Sequence, residues 1–484
     1  MSNLSELLPT GGGQNSVDFV ATGTLASGQA VALKTDGTVG VISGSAAGFG
    51  SSVVFESGNS SYISSTYDST NNKIVIAYGS NFGDGTAIVG TVSGTSISFG
   101  TAVVFNGANS DYNSATYDST NEKIVIFYKD NGNSGHGTAI VGTVSGTSIS
   151  FGTAVVFESA ATEYISATFD SNSNKVVIAY RDSPNSDSGT AIVGTVSGTA
   201  ISFGTAVVYN SGTTDFVSCT FDSDSNKVVI AYRDVGAGSP FPATAIVGTV
   251  SGTAISFGTP AVFESAESDF ISATFDSTNG KIVIAYRDVG NSSYGTAIVG
   301  TVSGTSISFG TAVVFESAYT LYISAVYDPT NNKVVINYRD NGGSDYGTSI
   351  LGTVSGTSIS FGTAAVFESA VSNWISATYD STNEKVVIGY ADAGNGSYGT
   401  AIVYQVGVVT NSADFIGITA EAISSAATGA VNVYGGINAV QTGLTIASDY
   451  YVQSDGTLST ASASPAIKVG QAVSATTINM KDLT

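Results

Sequence analysis

Apolar and polar positions alternate down most of this chain in one recurring order, and that order predicts strands rather than helices. Residues 270–276 (FISATFD) read as a short strand with small and hydroxyl side chains between larger ones. A polar turn, DSTNGK, leads into KIVIAY, a continuous apolar run of the kind found where both faces of a strand are covered. RDVGNSSYG is a glycine-rich loop, TAIVGTV a third apolar run, SGT a turn and SISFGTAVVF a fourth. Four runs rich in Val, Ile, Thr and aromatic residues, each of strand length, make one four-stranded unit. They are named a, b, c and d here. No stretch carries a 3.6-residue apolar period that would compete with this reading.

The unit recurs seven times. Its marker is the aromatic-Asp pair that ends strand a, at Asp68, Asp118, Asp170, Asp222, Asp276, Asp328 and Asp380, spaced 50, 52, 52, 54, 52 and 52 residues apart. Periods near 40–50 residues built from short strands are the signature of propeller blades. The expectation is an all-β fold, a seven-bladed β-propeller over residues 43–407 with strand a innermost. Strands a, b and c occur seven times, but SISFGTAVVF follows only six of the triples. The missing d strand stands upstream as GFGSSVVF, Gly48 to Phe55. The N-terminal strand is therefore expected to complete the last blade, which would remove the open sheet edges and bring Gly48 near Gly407.

The flanks repeat one another in pieces: NSVDFV at Asn15 with NSADFI at Asn411, GQAV at Gly28 with GQAV at Gly470, TDGTV at Thr35 with SDGTL at Ser454. Asp-Gly between strand-like runs signals a hairpin. Residues 15–42 and 408–484 are expected to form a small all-β domain, or two related lobes, from both chain ends. The matching pieces come in a different order, which argues against a simple tandem duplication. Residues 1–14, ending in Gly11–Gly13, read as a flexible arm.

Composition narrows the function. The chain has 484 residues, a formal net charge of −22 and only 11% charged residues. That charge opposes nucleic acid and anionic membrane surfaces as partners. No run reaches the ~18 apolar residues of a membrane span. The opening residues lack the basic and apolar regions of a secretion signal, so the expectation is synthesis in the cytoplasm without standard secretion. The single cysteine, Cys219, replaces a strand-a alanine and reads as a buried thiol. With one His and one Cys there is little material for His-based catalysis or a His/Cys metal site, and no cofactor is expected.

The terminal segments LLPTGGGQNSVDFVATGTLASGQAVALKTDGTV and FIGITAEAISSAATGAVNVYGGINAVQTGLTIASDYYVQSDGTL resemble modules in structural proteins of tailed bacteriophages. They are most similar to tail-fibre and adhesion proteins of marine phages, where such segments bracket repetitive β-rich regions. The resemblance covers about a fifth of the chain, at its two ends. It implies a virion protein, released by lysis, with other virion proteins and further copies of itself as partners.

Candidate chemistry concentrates on one side of the repeats. The a–b and c–d turns are nearly uniform, whereas the b–c and d–a connections differ from copy to copy. Blade-specific loops on a rigid scaffold are where recognition resides. All four arginines, Arg181, Arg233, Arg287 and Arg339, open b–c loops, and Lys129 fills that place in the second repeat. They form either a cationic arc for carboxylate or sulfate groups of a glycan, or Arg-Asp pairs locking adjacent blades. Tyr294, Tyr346 and Tyr398 end three b–c loops, with His136 at the matching place. Phe82, Phe241 and Tyr319 are blade-specific rings, and Trp374 is the sole tryptophan. Rings of this kind stack on sugars or anchor protein interfaces. Trp374 and its equivalents Tyr62, Tyr112, Tyr164, Phe216, Phe270 and Tyr322 also suit packing between blades. Asp222-Ser-Asp224-Ser-Asn226 lacks the Gly and final Glu of a calcium loop and reads as an a–b turn. Glu163, Asp215, Glu267 and Asp269 share the variable rim without any pair standing out as a glycosidase couple. The leading expectation is a non-enzymatic virion appendage subunit recognising a host-surface glycan. A purely architectural decoration protein and a glycan depolymerase are the alternatives.

Overall fold

A computed structural model describes residues 15–34, 37–42, 47–81, 83–342, 344–407, 414–453, 456–462 and 467–480. The arm expected at 1–14 and the ring of Phe82 lie outside these. The chain forms two compact units, residues 49–405 and residues 1–48 with 406–484.

In the larger unit every repeat is an antiparallel meander. In the third, residues 162–170 pair with Lys175–Asp182, which pairs with Ser188–Ser197. The turn between the first two is built by Asp170, whose carboxylate accepts from the amides of Asn172 and Ser173. Asp222 does the same for Asp224 and Ser225, so the calcium-like sequence is a turn. Strand b is buried on both faces because its residues alternate between two cores. Val176, Ile178 and Tyr180 pack with Val125, Phe127 and Val141 of the second repeat, while Val177 and Ala179 pack with Val228 and Ile230 of the fourth. Each such Val or Ile contributes roughly 1.5–3 kcal/mol of burial, so the continuous apolar run of b is what joins one repeat to the next. Cys219 is buried in this seam, and burial pushes its thiol pKa up.

Two expectations about connections need correction. SISFGTAVVF is not one strand. In the third repeat Ala200–Phe203 pairs with the far half of c, and the chain then steps across to pair residues 207–213 with the near half. The step falls at Gly204, where a Cβ would overlap the Thr253 carbonyl of the next repeat. Nor is there a d–a loop: Val207–Asp222 runs unbroken from one meander into the next, kinked by a bulge between Asp215 and Ser218. The variability assigned to that loop lies inside a strand.

Strand c of the seventh repeat, Tyr398–Gln405, pairs with Val53–Asn59 in the register Tyr398↔Asn59, Gly399↔Glu56, Thr400↔Val54 and Ala401↔Val53. Gly50 N donates to Val403 O at 2.9 Å, as Gly204 N does to Val193 O in the third repeat. One core joins Ile74, Ile76 and Tyr78 to Val387, Ala401 and Val403.

Among its described residues the smaller unit holds two five-stranded antiparallel sheets of identical order. The first runs Ser16–Val20, Thr428–Val433, Phe415–Thr419, Ala30–Leu33, Val39–Val41; the second runs Ile437–Asn438, Ile478–Asn479, Ile467–Ala472, Asp449–Val452, Leu458–Ser459. Each has a bulge beside a glycine, after Val31↔Gly417 and after Tyr450↔Gly470. Each closes its hairpin with a positive-φ glycine, Gly37 and Gly456. The unit is therefore a duplicated module, which is the alternative of two related lobes, and the different order of the matching sequence pieces does not count against duplication. The described parts of NSVDFV and NSADFI, like those of the two GQAV segments, occupy different sheet positions, whereas Gly37 of TDGTV and Gly456 of SDGTL are equivalent. In the first copy the 49–405 unit stands between Val41 and Phe415, where the second copy has residues 460–466.

Candidate functional site

The bulge in each a strand sets the site. In the third repeat the ladder holds at Glu163↔Arg181 and resumes at Ser166↔Ala179, leaving Tyr164 and Ile165 out of register. The equivalent aromatic in every repeat sits in the left-handed region: Tyr62, Tyr112, Tyr164, Phe216, Phe270, Tyr322 and Trp374 all have φ between 47° and 51°. Large side chains rarely adopt that conformation, and its recurrence marks a strained feature held in place by its surroundings. The strain turns all seven rings toward one another. Neighbouring centroids are 5.0–5.3 Å apart from Tyr62 round to Trp374, and Trp374 meets Tyr62 at 4.2 Å. These rings, with the Ile, Val or Asn113 that follows each, line a cavity of about 250 Å³. Burial, then the Asp111 and Glu163 carboxylates, push the Tyr62 hydroxyl up to about 12, so it stays a donor at neutral pH.

A second ring of residues surrounds the first. The residue before each aromatic pairs across to the last positions of strand b, giving Ser61↔Gly79, Asp111↔Lys129, Glu163↔Arg181, Asp215↔Arg233, Asp269↔Arg287, Leu321↔Arg339 and Asn373↔Ala391. The cations bridge repeats. Lys129 reaches Glu163 at 2.9 Å, Arg181 joins Glu163 to Asp215, Arg233 joins Asp215 to Asp269, and Arg287 holds Asp269. The expected Arg-Asp pairing of adjacent repeats is thus made by Arg181 with Asp215 and by Arg233 with Asp269, whereas Arg339 pairs with Asp345 of its own b–c loop. Burial raises the Glu163 carboxyl, yet Lys129 and Arg181 outweigh it and hold it below the usual range.

Each cation also lies over an aromatic face. Lys129 is 5.9 Å from the Tyr112 centroid, and the guanidinium carbons of Arg181, Arg233, Arg287 and Arg339 are 5.1, 4.9, 5.0 and 5.6 Å from Tyr164, Phe216, Phe270 and Tyr322. The Arg287 guanidinium carbon is also 4.8 Å from the Tyr319 centroid, and the Tyr319 hydroxyl accepts from Arg287 at 2.6 Å. Trp374 and Tyr62 have Ala391 and Gly79 at the cation's position.

The structure therefore draws Trp374, the four arginines and Tyr319 into one cluster. Tyr294 pairs with Tyr319 across the c and d strands, while His136, Tyr346 and Tyr398 pair with Ala161, Val371 and Asn59 at the outer ends of c. Phe241 sits in its b–c loop with φ 58°. The six aromatics that accompany Trp374 entered the sequence reading only as packing residues. Their signal was a constant aromatic immediately after the most variable position of strand a, but the bulge that aims them inward has no glycine to announce it.

No protein family and no curated protein matches the sequence. Among solved structures, the BP39L lectin from Burkholderia pseudomallei aligns with TM-score 0.54 at 10% identity, covering 73% of this chain and 99% of that one. A protein of unknown function from Dyadobacter fermentans aligns with TM-score 0.47 at 10% identity over 74% of this chain and 99% of its own. The SapL1 lectin in complex with alpha methyl fucoside aligns with TM-score 0.41 at 13% identity, over 65% of this chain and 96% of its own. The chain is all-β, and the fold it is similar to is that of a lectin-like β-propeller.

Proposed function

We propose that this chain is a non-enzymatic glycan-binding protein, with residues 49–405 forming a seven-bladed propeller closed by Val53–Asn59 and the aromatic ring as its binding face. The observation that carries the reading is the seven-fold positive-φ bulge. A fold whose only task was packing would place seven large rings in relaxed backbone. Holding them strained around a small cavity offers apolar faces to the C–H surface of a sugar, with polar groups around the rim. The fold similarity to a lectin agrees with this use. The carboxylates that a glycosidase would need, Glu163, Asp215, Glu267 and Asp269, are each bound to a guanidinium, which leaves them unsuited to proton transfer.

The resemblance of the terminal segments supports a place in a virion appendage, with the duplicated module as the attachment to other virion proteins. Two measurements test these parts separately. The full chain applied to a glycan array is expected to bind a subset of glycans without releasing product, and uniform lack of binding would overturn the reading. Antibody labelling of purified particles in electron micrographs is expected to mark an appendage.

A further inference from the structure

Resting on the glycan-binding reading, we infer that the sector between Trp374 and Tyr62 is the primary subsite and that it takes one neutral pyranose ring. In the other sectors the aromatic face turned to the rim is occupied by a cation of the protein itself. Here the cross-strand positions that supply those cations are Ala391 and Gly79, so neither ring carries a cation, and both line the cavity. Trp374 is half-buried, as is Tyr62.

The carboxylate position changes with the cation position. Asn373 and Ser61 stand where Asp or Glu stands in the second to fifth repeats. Asn373 Oδ1 accepts from Arg339 at 2.5 Å, which fixes the amide and directs its Nδ2 donor away from that contact. The Ser61 hydroxyl stands beside the space a Gly79 side chain would fill. Two cavity-lining rings free of a cation, flanked by one amide and one hydroxyl, none of them ionisable near neutrality, match the mixture of C–H face and hydroxyl edge that a pyranose presents.

The charge pattern disfavours the other small ligands. An acidic sugar would need a cation, and Arg339, the nearest, is engaged by Asn373 and, at 3.0 Å, by Asp345. A ligand cation would gain an aromatic face but would lack the carboxylate that Lys129, Arg181, Arg233 and Arg287 each have. Neutral ligands lose nothing by the absence of either.

Trp374 is the only tryptophan, so its fluorescence reports on this sector alone. The full chain is titrated with methyl pyranosides of fucose, mannose, galactose and glucose, with methyl glucuronide and with choline. Saturable quenching by a neutral glycoside is expected, with no response to the other two. Ala391→Arg, which installs the cap native to four other repeats, is expected to weaken that binding at least ten-fold. Asn373→Asp provides a second variant with the same expectation. Response to glucuronide or choline alone, or unchanged affinity in both variants, overturns the inference. Should the array show glycan binding that Ala391→Arg and Trp374→Phe both leave intact, the subsite assignment fails and the glycan-binding reading stands. Should the array show none, the broader reading has failed.

Discussion

The amide of Ser65 donates to Ser376 Oγ at 2.9 Å across 311 residues of sequence. It belongs to a series: Ala115, Ala167, Cys219, Ala273, Ala325 and Ala377 each donate to a serine of the preceding a strand, at 2.9–3.0 Å. The bond between the first and last repeats is indistinguishable from the six others. Strand a carries Ser at this place because an inner belt with little room needs a short acceptor for amides that the ladder leaves over.

The proposed closure predicts equal behaviour at two glycines. A Cβ on Gly399 would come under 3.0 Å of Phe55 and Ser60, and one on Gly347 would meet Phe367 and Ser372 in the same way. Phe367 and Ser372 lie in the chain segment directly following their meander, whereas Phe55 and Ser60 come from the far end of the sequence. Gly399→Ala and Gly347→Ala are each expected to cost about 1–3 kcal/mol through overpacking, read as matching drops in urea midpoint. A neutral Gly399→Ala beside a damaging Gly347→Ala would show that Val53–Asn59 does not belong to the last meander.

Much of this was legible beforehand, and the exceptions share a cause. Strand b, the a–b turn and the upstream d strand announce themselves because periodicity and Asp-Ser-Thr-Asn chemistry are local. The bulge at Tyr164 does not: the ladder slips by tertiary constraint, and Tyr164 reads as an ordinary strand residue. Of the two readings offered for the arginines, the one with Arg-Asp pairs locking adjacent repeats is what Arg181 makes with Asp215, and Glu163 of its own repeat, directly across the ladder, is a second partner that the sequence did not single out. In the flanks, GQAV misled because a short apolar phrase suits any strand, whereas the Asp-Gly turn requires one backbone geometry and so marked true equivalence.

The ion-pair ladder should be acid-sensitive. Burial opposes the Glu163 charge, but Lys129 and Arg181 hold its folded pKa below the unfolded value. Its contribution is then present above the unfolded pKa and lost as pH falls through the folded one. Glu163→Gln removes charge-assisted bonds to two cations and is expected to cost about 1–3 kcal/mol at pH 7. The difference from the unmodified chain should shrink below about pH 4. Thermal melts at pH 7 and pH 3 check this; a loss independent of pH would assign Glu163 a packing role.

Glu316 should behave with the opposite sign. Burial raises its carboxyl above the usual range, against the lowering effect of the Tyr338 hydroxyl that donates to it at 3.0 Å. A carboxyl with a raised folded pKa weakens the native state at neutral pH, and stability returns as pH falls through that value toward the unfolded one. Glu316→Gln keeps an acceptor for Tyr338 and removes the charge. The expected result is a melting temperature at pH 7 equal to or above that of the unmodified chain, with no gain near pH 4. A clear loss at pH 7 would mean that the charge itself is needed.

The duplicated module predicts that the host unit folds without its insert. Its two sheets share a core in which Ala30, Ile42, Phe415 and Ile418 of one copy pack with Tyr450, Val452, Val469 and Ile478 of the other. A second cluster, Leu25, Val31, Val39, Ile416 and Val431, fills the opposite face of the first sheet. None of these residues lies in 49–405. Between equivalent strands the second copy needs only residues 460–466, so the same seven residues, TASASPA, should suffice to join Ile42 to Asp414 in the first. A chain of residues 15–42, that linker and residues 414–484 is expected to give a β-rich circular dichroism spectrum and a single cooperative melt. If it stays unfolded, the 49–405 unit is a required part of the first sheet's fold, and the picture of a propeller carried in a module's loop is wrong.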